Sequence, residues 1–317
     1  MAPLCNQRSG AEVYRSVVDL AKYRSLYSRS RDQNQSEVFA FFPPDRDRLA
    51  ESSDYNAPWL KLAEATIEGS QSWEFSSEKY KKKYPHPCPK LRNYLQYTFV
   101  RLKELERESS GHFFIESADR KWACFNTGLQ DRHSADLFSV FERYEERRLE
   151  LSAITRPDWI YRGTLTAREH GFRQHFGAQR PEIAWYSMDS RDFVFNLSYT
   201  VDTDLFSHMF DRAQQRCGFP PDATEELVNN YIRGAIENLV PKIKRNYKTA
   251  IPMYYVEERR MQLLLPFVAY NGRDTACLLM ERDDTHQCYT VKTVLEMDQA
   301  FFAARLLTRP DKEWLNP

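Results

Sequence analysis

Apolar residues recur at helical spacing through the first two thirds of the chain and crowd into strand-like runs in the last third. From Lys90 to Glu106, Leu91, Tyr94, Leu95, Phe99 and Leu102 repeat every three or four residues with charges between them, which predicts a helix with one buried face. A longer helix follows "GFPPDAT", capped by Asp222 or Thr224. In it Leu227, Tyr231, Ile232, Ala235, Ile236, Leu239 and Val240 share a face up to Pro241. Shorter helices are expected over Ala11–Ser28, about Pro58–Glu68, in "DLFSHMFDRAQQRC" and over Asp298–Leu307. Ser76–Lys90, basic and broken by prolines, reads as a loop. "HFFIES" and "KWACFN" predict a hairpin, "DWIYRGTL" and "DFVFNLSY" two further strands, and "AIPMYYVE", "RMQLLLPFVAYNG", "TACLLMERD" and "CYTVKTVLE" an antiparallel meander, because their short connections leave no room for crossovers. The expected class is α+β, with helices mainly in the N-terminal half and an antiparallel β-meander in the C-terminal third. Residues 1–36, ending in the polar joint "SRSRDQNQS", read as an extension with one possible helix, and residues 37–317 as a single domain.

Between the hairpin and the next apolar run stands "NTGLQDRH". Asn126 and Thr127 offer short polar side chains, and Gly128 allows positive φ. Ser134 is positioned to cap a helix over "ADLFSVFERYEERR", with Leu137, Phe138 and Phe141 inward. A polar turn entering a helix gathers backbone N–H groups, so this stretch is a candidate phosphate cradle, with a plain turn as the alternative.

Composition removes several classes. The 45 basic residues equal the 45 acidic ones, so the molecule as a whole exerts no long-range pull on nucleic acid or an anionic membrane, and such binding requires a local patch. No apolar run reaches the roughly 18–20 residues of a membrane span, and the first residues lack the apolar core of a signal peptide; a cytoplasmic protein is expected. The six cysteines are scattered, as in a reduced protein. His86 with Cys88 and His286 with Cys288 lack the spacing of a zinc finger. No nucleophile elbow, phosphate loop or dinucleotide fingerprint occurs.

Two patches remain. "KIKRNYKTAIPMYY" places Lys242, Lys244, Arg245 and Lys248 at the end of the long helix, interleaved with Tyr247, Tyr254 and Tyr255; cations there compensate the helix dipole, and the mixture also suits phosphates and bases. The lysines around Tyr80 and Tyr84 are an accessory patch. Glu281 and Glu296 end neighbouring predicted strands. Placed at one rim of the sheet, they would act as acid and base or hold a divalent metal ion.

"EVFAFFP", "PWLKLAEATIEGSQSWEF", "LRNYLQYTFVRL", "FNTGL", "KRNYKTAIPMYY", "MQLLLPF" and "LEMDQAFFAARLLTRPDKEWL" resemble, in this order, an uncharacterised domain family often joined to LOTUS (OST-HTH) RNA-binding domains in microbial proteins. The resemblance covers about Glu37 to Leu315 and implies an RNA context without an activity. The closing motif departs from the family's usual "LDMAYSNARL", with Phe302 and Ala303 in place of a Ser-Asn pair.

The combined expectation is an RNA-associated enzyme acting on a nucleotide or a phosphate-bearing RNA end. Asn126, Thr127 and Gly128 would cradle a phosphate; Lys244, Arg245 and Lys248 would neutralise charge; Tyr247 or Tyr254 would stack a base; Glu281 or Glu296 would serve as base or metal ligand. The alternatives are a non-catalytic RNA-binding module and a protein-interaction scaffold.

Overall fold

The structure, a computed structural model, describes residues 25–27, 38–42, 57–69, 73–143, 159–202, 207–256 and 258–307. Most of the expected Ala11–Ser28 helix, the polar joint after it and the double-proline turn at Pro43–Pro44 lie outside these residues; Ser25–Tyr27, the end of that helix, form a strand. The chain divides into two compact units, Met1–Glu74 with Tyr84–Ala184, and Phe75–Lys83 with Trp185–Pro317. The fold is α+β.

The first unit is built on a six-stranded sheet, ordered β1 (Ser25–Tyr27), β2 (Val38–Phe41), β6 (Trp159–Thr166), β5 (Asp136–Arg143), β4 (Trp122–Gln130) and β3 (Phe114–Glu116). All neighbours are antiparallel except β2 and β6. Helix α1 (Ala57–Ala65) brings Trp59 onto Phe42, ring centroids 4.4 Å apart, and Phe42 stacks in turn on Tyr161. A later helix of the unit, Pro89–Glu108, starts with proline at its first position, where no N–H is lost, and buries Leu91, Tyr94, Leu95, Phe99 and Leu102 as the spacing required. Its Phe99 packs on Phe114 and Phe125. Phe172 and Phe176, on the short helix His170–Phe176, cover Cys124, Phe138 and Val140.

The helix expected over "ADLFSVFERYEERR" is β5 instead as far as Arg143, and residues 144–148 lie outside the described part. Five successive residues, Leu137–Phe141, are buried. A strand buried on both faces loses its alternation, and a continuous apolar run also satisfies helical spacing.

The second unit opens with α2 (Glu78–Lys83), inside the stretch read as a loop. Its Glu78 in the first turn and lysines in the last match the helix dipole. With that element placed, the Pro89–Glu108 helix is α3 and His170–Phe176 is α4. A five-stranded sheet follows the order β7 (Thr200–Asp202), β11 (Cys288–Glu296), β10 (Thr275–Asp283), β9 (Arg260–Val268) and β8 (Ile251–Tyr255). The last four form the expected antiparallel meander, and β7 joins parallel to β11. "DFVFNLSY" is not a strand. Phe195 stacks on Tyr289, and Asn196 Oδ1 accepts the Ser198 N–H at 3.0 Å, a local turn that competes with extended pairing.

Helices α5 (Ser207–Arg216) and α6 (Glu225–Arg245) pack on one face of this sheet; Met209, Ala213, Ile232, Ile236 and Leu239 meet Leu263, Leu265, Leu278, Met280 and Tyr289. Helix α7 (Met297–Ala304) packs Ala300 and Ala304 on the other face, against Ile251, Leu264, Cys277 and Leu279. Thr224 caps α6, and the helix runs through Pro241 rather than stopping there. Pro241 is exposed, while Ile243 beyond it is buried. A proline inside a helix costs about 3 kcal/mol, and burying an isoleucine recovers roughly 1.5–3 kcal/mol, so one more turn of core contact offsets most of the loss.

No described helix is long and apolar enough to cross a membrane. Of the five described cysteines, Cys88, Cys124, Cys217 and Cys277 are buried and Cys288 is half-buried. Burial pushes the Cys88 and Cys217 thiols up to about 12, and raises Cys124 and Cys277 as well. A thiol reagent at pH 8 is therefore expected to modify Cys288 before the other four, which should react only on unfolding; peptide mass mapping checks this.

Candidate functional site

The Asn126–Leu129 stretch is a bulge within β4, not a corner before a helix. Pairing with β5 moves from Asn126–Phe138 to Gln130–Asp136, four residues on one strand against two on the other. Gly128 takes φ +73° at the bend. The N–H groups expected to face an anion are already used: Gly128 N–H donates to Asn126 Oδ1 at 2.9 Å and Leu129 N–H to Thr127 Oγ1 at 3.1 Å. Thr127 Oγ1 itself donates to the Leu137 carbonyl at 2.7 Å. Asn126 and Thr127 are buried, and Tyr94 Oη donates to the Thr127 carbonyl at 3.0 Å. Asn126, Thr127 and Gly128 thus tie the bulge to β5 and to α3, with the Gly128 and Leu129 N–H groups, the Thr127 hydroxyl and the Thr127 carbonyl partnered locally.

At the end of α6 the expected cluster is present. Lys242, Lys244 and Arg245 occupy the last turn, and Asn246 Oδ1 accepts the Lys248 N–H at 3.1 Å, fixing a 3₁₀ turn over Tyr247–Thr249. Lys244, Arg245 and Lys248 are exposed, and the Tyr247 side chain is 63% exposed. Tyr254 is not available to a base: it is buried, its ring 4.9 Å from that of Tyr186.

Glu281 and Glu296 do not share a rim. Antiparallel neighbours end at opposite edges, and Glu296 stands opposite Ala276, five residues along β10 from Glu281 and roughly 17 Å away at strand rise. Glu296 caps α7 in a capping box with Gln299 and pairs with Lys79 at 2.7 Å. Glu281 lies at the centre of a different group. Met253, Gln262, Glu281 and Thr290 stand opposite one another across β8, β9, β10 and β11. Glu281 accepts from Arg260 at 2.7 Å and from Gln262 Nε2 at 3.0 Å, with Lys292 Nζ at 3.8 Å. The bond to Glu281 holds the Arg260 guanidinium above its ordinary pKa. One carboxylate thus faces two cations, a poor environment for a divalent metal ion. Among the described residues no group of three or more His, Cys, Asp or Glu is placed to hold a metal.

The profile of a domain of unknown function, DUF3825, matches residues 62–314. The chain belongs to that family. No curated protein and no solved structure matches it. The β4 bulge, the end of α6 and the Glu281 group all lie inside the DUF3825 match.

Within the DUF3825 domain, sequence reasoning passed over Gln262, Arg260 and Lys292. Their signal is in "RMQLLLPF": at strand spacing Arg260, Gln262 and Leu264 share a face, and Leu264 is fully buried. A glutamine turned inward beside such a residue needs a polar partner, and that partner is Glu281.

Proposed function

We propose that this DUF3825 chain binds RNA, or a phosphate-bearing nucleotide end, as a binding module rather than as an enzyme, through the end of α6 and the turn that follows. The observation that carries this reading is the exposed Tyr247 ring set among Lys244, Arg245 and Lys248. Compensation of the helix dipole accounts for Lys242, Lys244 and Arg245. It does not account for an exposed aromatic ring beyond the helix, nor for Lys248 on the same turn. Cations around an open ring neutralise phosphates and stack bases without reading sequence. The carboxylates favour binding over turnover, because Glu296 is spent as a cap and Glu281 as the partner of two cations. The RNA context implied by the sequence resemblance to domains joined to LOTUS modules would point the same way.

The test is fluorescence anisotropy of a labelled single-stranded RNA with the full chain. Lys244→Ala with Arg245→Ala should weaken binding about tenfold at near-physiological salt and reduce the slope of log affinity against log salt by about 1.4. Tyr247→Ala should cost about fivefold or more. Absence of binding at low salt, or affinities unmoved by all three substitutions, would overturn the proposal. A stoichiometric protein partner would then support the scaffold reading.

A further inference from the structure

The Glu281 group contains a defect that folding alone does not explain. Gln262 is 4% exposed and donates through Nε2 to Glu281, yet its Oε1 is buried and, among the described residues, has no hydrogen-bond donor. Exchanging the amide oxygen and nitrogen would not repair this, since it would set Oε1 against the Glu281 carboxylate. A buried acceptor without a donor costs on the order of 1–3 kcal/mol. Beside it the Glu281 side chain, 12% exposed, has lone-pair sites beyond those used by its present donors. Two acceptors therefore lie side by side, and what fits them is a ligand edge with two adjacent N–H donors.

The rim is different in character. Arg260 is 60% exposed and Lys292 40%, and both close over Glu281 from neighbouring strands. These are long, flexible side chains on the solvent side, able to swing outward and meet an anion. Tyr255, opposite Arg260 on β8, supplies a ring at the same edge. The site thus combines inner acceptors, outer cations and an aromatic flank.

We infer that this face of the second unit takes an unstacked guanine nucleotide. The N1–H and the 2-amino group of the base would be held by Gln262 Oε1 and Glu281, and the phosphate by Arg260 and Lys292. Guanine is the common base whose Watson–Crick edge places two donors side by side; adenine offers one donor beside an acceptor, which would face Glu281 unfavourably. The inference rests on the RNA-binding reading and names the base that reading would favour, at a place separate from Tyr247. The turn carrying Tyr247 leads into β8 at Ile251, and the Tyr255 end of that strand lies roughly 13 Å further on at strand rise.

Calorimetric titration of the full chain with GMP, IMP and AMP tests it. IMP is guanine's ring system without the 2-amino group. GMP should bind about tenfold more tightly than IMP, and AMP more weakly than either, as expected when buried acceptors lose their donors. Gln262→Met, close in size and apolar, should remove the preference for GMP over IMP; Lys292→Ala, at an exposed position, should weaken both equally by about threefold to tenfold. Undetectable GMP binding at millimolar concentration, equal affinity for GMP and AMP, or a GMP preference that survives Gln262→Met would each overturn the inference. A buried water that satisfies Gln262 Oε1 would give the first of these results. The RNA-binding reading fails separately, when the anisotropy is indifferent to Lys244, Arg245 and Tyr247.

Discussion

Replacing Gly128 with alanine is expected to destabilise the first unit by roughly 2–5 kcal/mol, one of the two largest single-residue effects anticipated for this chain. Two costs add. A side chain at φ +73° carries about 1–2 kcal/mol of left-handed strain. The new Cβ would also stand 2.7 Å from Tyr94 Oη, which must move and so release the Thr127 carbonyl it now serves. That carbonyl is buried, and an orphaned buried acceptor costs on the order of 1–3 kcal/mol. Gly69 separates the two terms. It has the same φ of +73° with, among the described residues, nothing within 4 Å of an added Cβ, so Gly69→Ala should show the backbone cost alone. In urea unfolding, Gly128→Ala should lose about 1–3 kcal/mol more than Gly69→Ala; equal losses would show that Tyr94 yields freely. Tyr94→Phe provides the reciprocal check, because it removes the same hydrogen bond and the same obstacle, and Gly128→Ala in that background should cost no more than Gly69→Ala.

The bulge also marks where the sequence could and could not be read. The C-terminal meander was legible because four apolar runs of strand length follow one another with short turns, "NGRD" and "RDDTHQ" among them, that leave no room for crossovers. Helices α3 and α6 were legible because their apolar residues recur at helical spacing and are buried, although α3 buries Lys90, Arg92, Arg101 and Glu104 as well. Strand β5 was not, because it is buried on both faces, Phe138 and Val140 under α4 and Phe141 against Phe42 and Phe125, and the alternation vanishes. Helix α2 was hidden by the prolines that follow it, although its Glu78 and three lysines carry the charge pattern of a short helix.

The candidate sites divide along the same line. A basic patch near a helix end follows from local spacing: Lys244 and Arg245 lie in the last turn of α6, which runs past Pro241, and Tyr247 and Lys248 on the exposed turn after it. Relations across a sheet depend on register, which the sequence does not display. Glu281 and Glu296 occupy matching places along their strands, and the antiparallel direction of the meander sends them to opposite ends. The same register brings together Gln262, Glu281 and Lys292, residues that lie on three different strands. The Asn-Thr-Gly motif was ambiguous for another reason. Its polar side chains supply the partners that a bound anion would have supplied, and no spacing rule distinguishes the two.

Asp298→Ala is expected to destabilise the second unit by about 2–4 kcal/mol, through two backbone groups rather than through α7 itself. Asp298 is 5% exposed in the first turn of α7, and its carboxylate accepts the N–H groups of Ser76, at 3.0 and 3.1 Å, and Ser77, at 2.9 Å. Those residues immediately precede α2, whose first turn depends on the Ser77 carbonyl as acceptor for Tyr80 and Lys81. One buried carboxylate therefore fixes the start of α2, a segment more than 200 residues away in sequence, and its charge suits the positive end of that helix. Truncation leaves two N–H groups without their acceptor, each worth roughly 1–2 kcal/mol where it stays shielded from water. Asp298→Asn keeps the shape and one acceptor oxygen but not the charge, and should lose about half as much. Hydrogen exchange distinguishes this mechanism from a general weakening of the unit. Peptides covering Phe75–Lys83 should lose protection in Asp298→Ala under native conditions while those of β9 and β10 keep theirs; uniform loss across the sheet would show that Asp298 acts through α7 packing instead.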